Sequence, residues 1–147
     1  MTIKETQESI IQEFESFKDW DEKYAYIIKI GKELDTFPED QRTEENKLSG
    51  CQSQVWLHAS VEGSNVLFKA DSDAMIVKGL IALLIKVYSN HSPDEILSSP
   101  PEFIKKIGID NHLSLTRKNG LSAMLKQIQR YAIAYKALFE MQKINHD

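Results

Sequence analysis

A chain of 147 residues with 41% hydrophobic and 27% charged side chains carries enough apolar material for one buried core and needs no disulfide to hold it. Its net charge of −4, with no basic stripe interleaved with aromatics, argues against nucleic-acid binding, and the few glycines and prolines argue against disorder. One cysteine cannot form an intrachain disulfide, and the N-terminal MTIKETQESI lacks the apolar core of a secretion signal, so the cytoplasm is the expected location.

Two helices are expected first. Thr2 and Glu5 have capping-box spacing ahead of a stripe of Ile3, Ile10, Phe14 and Phe17. Asp19 and Glu22 frame the second, in which Trp20, Tyr24, Ile27, Gly31 and Leu34 recur at helical spacing until Phe37 and Pro38 end it. Residues 35–50 are polar and read as mostly irregular. The period then changes: residues 54–61 (QVWLHASV) and the alternating Val66, Phe68 and Ala70 form two strands, joined through the turn formers Gly63, Ser64 and Asn65.

A long apolar helix over residues 73–89, capped by Ser72, follows with Ile76, Val77, Leu80, Leu83, Leu84 and Val87 towards the core. Lys78 and Lys86 interrupt this region, which is too short to span a bilayer. Ser92, Pro93 and Glu95 announce a short helix, and Pro101 and Gly108 bracket another. The last helix, residues 117–142, presents Leu121, Met124, Leu125, Ile128, Tyr131, Ala132, Tyr135, Leu138 and Phe139 as one wide apolar face. Helices on both sides of a hairpin predict an α+β fold, a small antiparallel sheet with helices packed on one face.

Cys51 lies outside any periodic face, in the run KLSGCQSQ among small polar residues and directly after Gly50, which permits an unusual turn and close approach by another molecule. An incidental thiol is the competing reading, and position alone leaves both open. Lys47 and Arg42, close in sequence, and Arg117, if close in space, would favour the reactive thiolate. The absence of a C-x-x-C pair disfavours a dithiol oxidoreductase, and His58, His91, His112 and His146 show no ligand spacing around Cys51. A Cys–His hydrolase would need His58 or His112 beside the thiol. Carrying a sulfane sulfur suits a lone cysteine, because no second thiol stands by to displace the cargo while closing a disulfide.

These residues resemble a known family. The stretches DWDEKYAYIIKIGKEL from Asp19, RTEENKLSGCQSQVWL from Arg42, DSDAMIVKGLIALLIKVYS from Asp71 and RKNGL from Arg117 are similar to SufE and its paralogue CsdE, the sulfur-acceptor partners of group II cysteine desulfurases. The resemblance covers nearly the whole chain, taken as a single SufE-like domain over 1–147, and implies a fold similar to the IscU scaffold proteins. It implies that Cys51 is the catalytic residue. In that role it takes sulfur from the persulfide of a SufS-like or CsdA-like desulfurase, stimulates that enzyme, and passes sulfur towards a SufB-like scaffold for iron–sulfur cluster assembly. Pyridoxal phosphate then belongs to the partner, and this chain is expected to hold no cofactor and no metal and to bind neither nucleic acid nor membrane. The alternative is a docking module that transfers no sulfur. Asp71 and Asp73 are expected to cap the helix after the hairpin. Arg117 either supports Cys51 or is a surface residue, and Val55, Trp56 and Leu57 are expected to wall an apolar shelter for the thiol.

Overall fold

The computed structural model describes residues 1–49 and 52–146, with side chains through residue 144. Its elements run α1 (Ile3–Glu15), α2 (Trp20–Lys32), β1 (Val55–Glu62), β2 (Asn65–Ser72), α3 (Met75–Tyr88), α4 (Pro93–Ser98), α5 (Glu102–Lys106) and α6 (Leu115–His146), with short 3-10 turns at Glu39–Gln41 and Ile109–His112. Among the described residues no helix is long and apolar enough to cross a membrane.

Local chemistry accounts for most boundaries. The α1 capping box closes as expected, the Thr2 N–H donating to Glu5 Oε1 and the Glu5 N–H to Thr2 Oγ1. Asp19 caps α2 and Ser92 caps α4 through their side-chain oxygens. Helix α2 stops at Lys32, five residues before the expected Phe37-Pro38 stop, and the chain then turns so that Phe37 enters the core at 2% exposure. Helix α3 also starts later than expected, at Met75. Ser72 remains in β2, paired with Val55, and its Oγ accepts from the Ala74 N–H, so it closes the strand rather than capping the helix.

The strands pair antiparallel from Val55↔Ser72 to Glu62↔Asn65. Gly63 turns the hairpin at φ +62°, the left-handed region a two-residue turn of this kind demands at its first position. Period-two alternation buries Val55, Leu57, Ala59, Val66, Phe68 and Ala70 on one face. Against that face lies α3, buried along Leu80, Ile81, Leu83, Leu84 and Val87, with α1, α2 and α6 completing the core through residues such as Ile10, Ile27 and Ile128. The fold is α+β, as its sequence predicts. Both sheet edges are partly covered: Asn46 and Leu48 hydrogen-bond along β1, and Asn90 and His91 along Val66 of β2.

Candidate functional site

Cys51 and Gly50 lie outside the described residues, so the site is defined by what holds the chain on either side of them. The Leu48 N–H donates to the Val55 carbonyl at 2.8 Å, the Leu57 N–H to the Asn46 carbonyl at 2.9 Å, and Lys47 bridges to Trp56. Residues 46–48 therefore pair antiparallel with the edge of β1 and form a stem beside residues 55–57. Further bonds brace the stem. Asn46 Nδ2 donates to the Gln41 carbonyl, and Gln54 and Asp73 are joined twice: the Asp73 N–H donates to the Gln54 carbonyl, and the Gln54 N–H donates to the side-chain Oδ1 of Asp73 at 3.0 Å.

This geometry corrects the expected roles of two carboxylates. Asp73 does not cap α3, because its side chain accepts from the Gln54 N–H. Asp71 is a β2 residue, not part of the helix start, and joins three segments. Its Oδ2 lies 2.7 Å from Arg42 Nη1 and its Oδ1 3.2 Å from Lys78 Nζ. Partial burial works against its charge, but hydrogen bonds from Arg42, Lys78 and the Ser72 N–H outweigh that and hold the carboxyl below its ordinary pKa. The Arg42 guanidinium also lies 5.0 Å from the centre of the Trp56 ring and 5.3 Å from that of Phe37. Its role here is to fasten the irregular segment to the sheet ahead of the hairpin.

Two clefts are lined by residues that flank positions 50 and 51 in sequence. The first, about 530 Å³, runs between Gln52 and Ser53, residues 74–77 at the start of α3, and the start of α6 at Thr116, Arg117, Gly120 and Met124. The second, about 380 Å³, lies on the Ser49 side, between residues 45–49 and the α6 face carrying Asn119, Lys126 and Arg130. Arg117, expected near the site or on the surface, is in the first cleft beside Gln52 and Ser53 and is solvent-exposed. Whether Val55, Trp56 and Leu57 shelter Cys51 lies outside the described residues. Val55 and Leu57 face the core at 0% exposure and Trp56 lies under Arg42, while Ala74, Met75, Ile76, Val77 and Met124 supply the apolar lining.

The histidines are engaged elsewhere. His91 Nδ1 lies 2.8 Å from Glu95 Oε1, His112 stacks on Trp20 with ring centres 3.7 Å apart, and His58 sits opposite Lys69 in the hairpin. The side chain of His146 is outside the described residues. Sequence reasoning missed the Arg42–Asp71–Lys78 cluster and the cleft-lining Ser114, Thr116 and Gly120. Arg42 and Asp71 stand out in the sequence separately, as a cation near Cys51 and as a helix-capping acid, but no spacing signals that they pair.

The chain matches one family model, described as SufE, an Fe-S metabolism associated domain, over residues 8–132. The chain belongs to the SufE family. An uncharacterised SufE-like protein of Rhizobium etli is 42% identical over 130 residues, 85% of this chain and 88% of that one. Another, from Rhizobium meliloti, is 40% identical over 130 residues, 85% of this chain and 93% of its own. A hypothetical protein from Thermus thermophilus, solved in solution, shares the fold with a TM-score of 0.75 at 22% identity, over 90% of this chain and 96% of that one. Membership places the chain in iron–sulfur metabolism.

Proposed function

We propose that this chain is a cytoplasmic sulfur acceptor and carrier, a single SufE-like domain in which Cys51 takes sulfane sulfur from a pyridoxal-phosphate-dependent cysteine desulfurase of the SufS or CsdA type. The Cys51 thiolate attacks the outer sulfur of the donor persulfide. The donor S–S bond breaks, the donor leaves as a thiolate, and Cys51 becomes the persulfide, with no net oxidation. Clearing the donor cysteine for its next turnover is how the acceptor stimulates the desulfurase. Delivery to a SufB-like scaffold then repeats the exchange towards cluster assembly.

The observation that carries this reading is chemical: Cys51 is the only thiol in the chain, and in sequence it falls between Leu48 and Val55, whose backbones are hydrogen-bonded to each other. Braced flanks let a segment engage another protein without disturbing the core. The test is incubation with a group II cysteine desulfurase and cysteine, followed by intact and peptide mass measurement. The expected result is a gain of one or more sulfur atoms on Cys51, removed by reductant and absent from Cys51→Ser. Sulfur found elsewhere, or none at all, rejects the carrier. Undiminished stimulation of the desulfurase by Cys51→Ala would instead identify a docking module.

A further inference from the structure

The overall charge of −4 conceals an uneven distribution. Between Asp110 and Glu140 the chain has no carboxylate, while Arg117, Lys118, Lys126, Arg130 and Lys136 all fall in that stretch, most of which is α6. Two of these cations stand where they weaken the helix. Arg117 and Lys118 occupy its first turn, where the macrodipole favours anions, and no acid offsets them, whereas α1, α2, α4 and α5 each open with at least one. Folding stability alone does not account for that placement.

Lys136 is paired with Asp94, but among the described residues Lys126 and Arg130 are in no ion pair. Four residues apart, they share a helix face, and with Lys47 they converge on the second cleft beside Ser49, where Glu45 is the one acid in the lining. Lys47 pairs with Trp56 at the edge of β1, so the cationic surface spans two separate elements.

We infer that this basic cleft and the adjoining face of α6 receive an acidic surface segment of the sulfur-donating desulfurase. The inference rests on the carrier reading above and names the surface through which that partner would dock. An extended strip on exposed side chains suits a protein surface better than an enclosed small anion, and a chain acidic elsewhere repels a polyanion such as nucleic acid. Opposite charge on the partner steers encounter and fixes orientation, which raises the association rate and makes it depend on salt.

The test is binding to a group II cysteine desulfurase whose catalytic cysteine has been replaced, followed by calorimetry from low to high salt. Three proteins are compared: the wild type, K126E/R130E, and the charge-matched K29E/K86E, whose side chains line a separate cleft between α2 and α3. Charge reversal on α6 is expected to weaken binding about tenfold at low salt, with the difference largely screened at about 1 M, where the Debye length is near 3 Å. The control is expected to bind like the wild type, and K126A/R130A to show a smaller loss in the same direction, with circular dichroism unchanged throughout. Equal weakening by both reversals, no weakening by K126E/R130E, or tighter binding of duplex DNA than of the desulfurase overturns the inference. Sulfur loading of the wild type by active desulfurase is measured in parallel. Loading with no effect of reversal on binding sinks the docking surface alone. A wild type that neither binds nor loads sinks the carrier reading and this inference with it.

Discussion

Asp71 carries more of the site's architecture than its place in a short strand suggests. Its side chain is 18% exposed and compensates two cations, Arg42 and Lys78, from the irregular segment and from α3. Asp71→Asn keeps the shape but removes the counter-charge of Lys78 and leaves Arg42 with only the exposed Glu39, and is expected to lower stability by about 1–3 kcal/mol. The pH dependence has a definite sign. Because the folded carboxyl titrates below its ordinary value, its contribution is complete above the unfolded pKa of about 3.9 and is lost as pH falls through the folded pKa. Urea unfolding should therefore separate the two proteins at pH 7 and bring them together as pH falls below the ordinary carboxylate range; a constant difference would mean that the charge is not what matters. This cluster was illegible in the sequence. Capping is a local pattern that Asp71 and Asp73 satisfy on paper, whereas an ion pair to Arg42 across an irregular stretch leaves no spacing to read. Cys51 stands out for the opposite reason, since a lone thiol amid small polar residues lies apart from every apolar period around it, although position alone leaves an incidental thiol open.

Helices α2 and α3 cross where both lack a side chain. A Cβ on Gly79 would lie 2.2 Å from the Ile27 carbonyl oxygen and 2.5 Å from Ile27 Cγ2, and one on Gly31 would lie 2.8 Å from Gly79 N. In an isolated helix Gly→Ala gains about 1 kcal/mol. Here the contact is with backbone, which cannot step aside, so the helices must separate along a seam that includes the fully buried Ile27 and the buried Ala82. Gly79→Ala is expected to destabilise by about 1–3 kcal/mol net, read from denaturant midpoints; a neutral or stabilising result would show that the crossing relaxes freely. Helical periodicity placed Gly31 on the inward stripe of α2, but gave no sign that Gly79 answers it. The same limit explains the shifted boundaries. Apolar spacing locates a helix well, yet whether Ser72 ends a strand or starts a helix depends on its pairing with Val55, and whether α2 runs to Pro38 depends on Phe37 finding the core.

The length of α6 sets it apart from the rest of the molecule. At 1.5 Å per residue its 32 residues extend about 48 Å, longer than the diameter of a compact body with a radius of gyration near 15 Å. One end must therefore project. The burial pattern identifies which: Met124, Ile128 and Ala132 are fully buried, whereas Ile133, Met141 and Ile144 are 58%, 61% and 74% exposed. The sequence alone extends the apolar face through Leu138 and Phe139 because its period continues, but Leu138 is 43% exposed, since periodicity cannot register where the opposing core gives out. The family match also ends at residue 132. Truncation after Glu140 keeps Lys136 and its partner Asp94 and removes only exposed side chains from the described part of the helix. It is expected to change stability by no more than about 0.5 kcal/mol and to leave sulfur loading as it was, whereas Ile128→Ala, which opens a cavity under the sheet side of the same helix, should cost about 2–5 kcal/mol. Thermal unfolding at several protein concentrations measures both. A concentration-dependent loss of stability on truncation would mean that the projecting turns are covered by a second copy in solution, and the exposed stripe would then be an interface rather than an overhang.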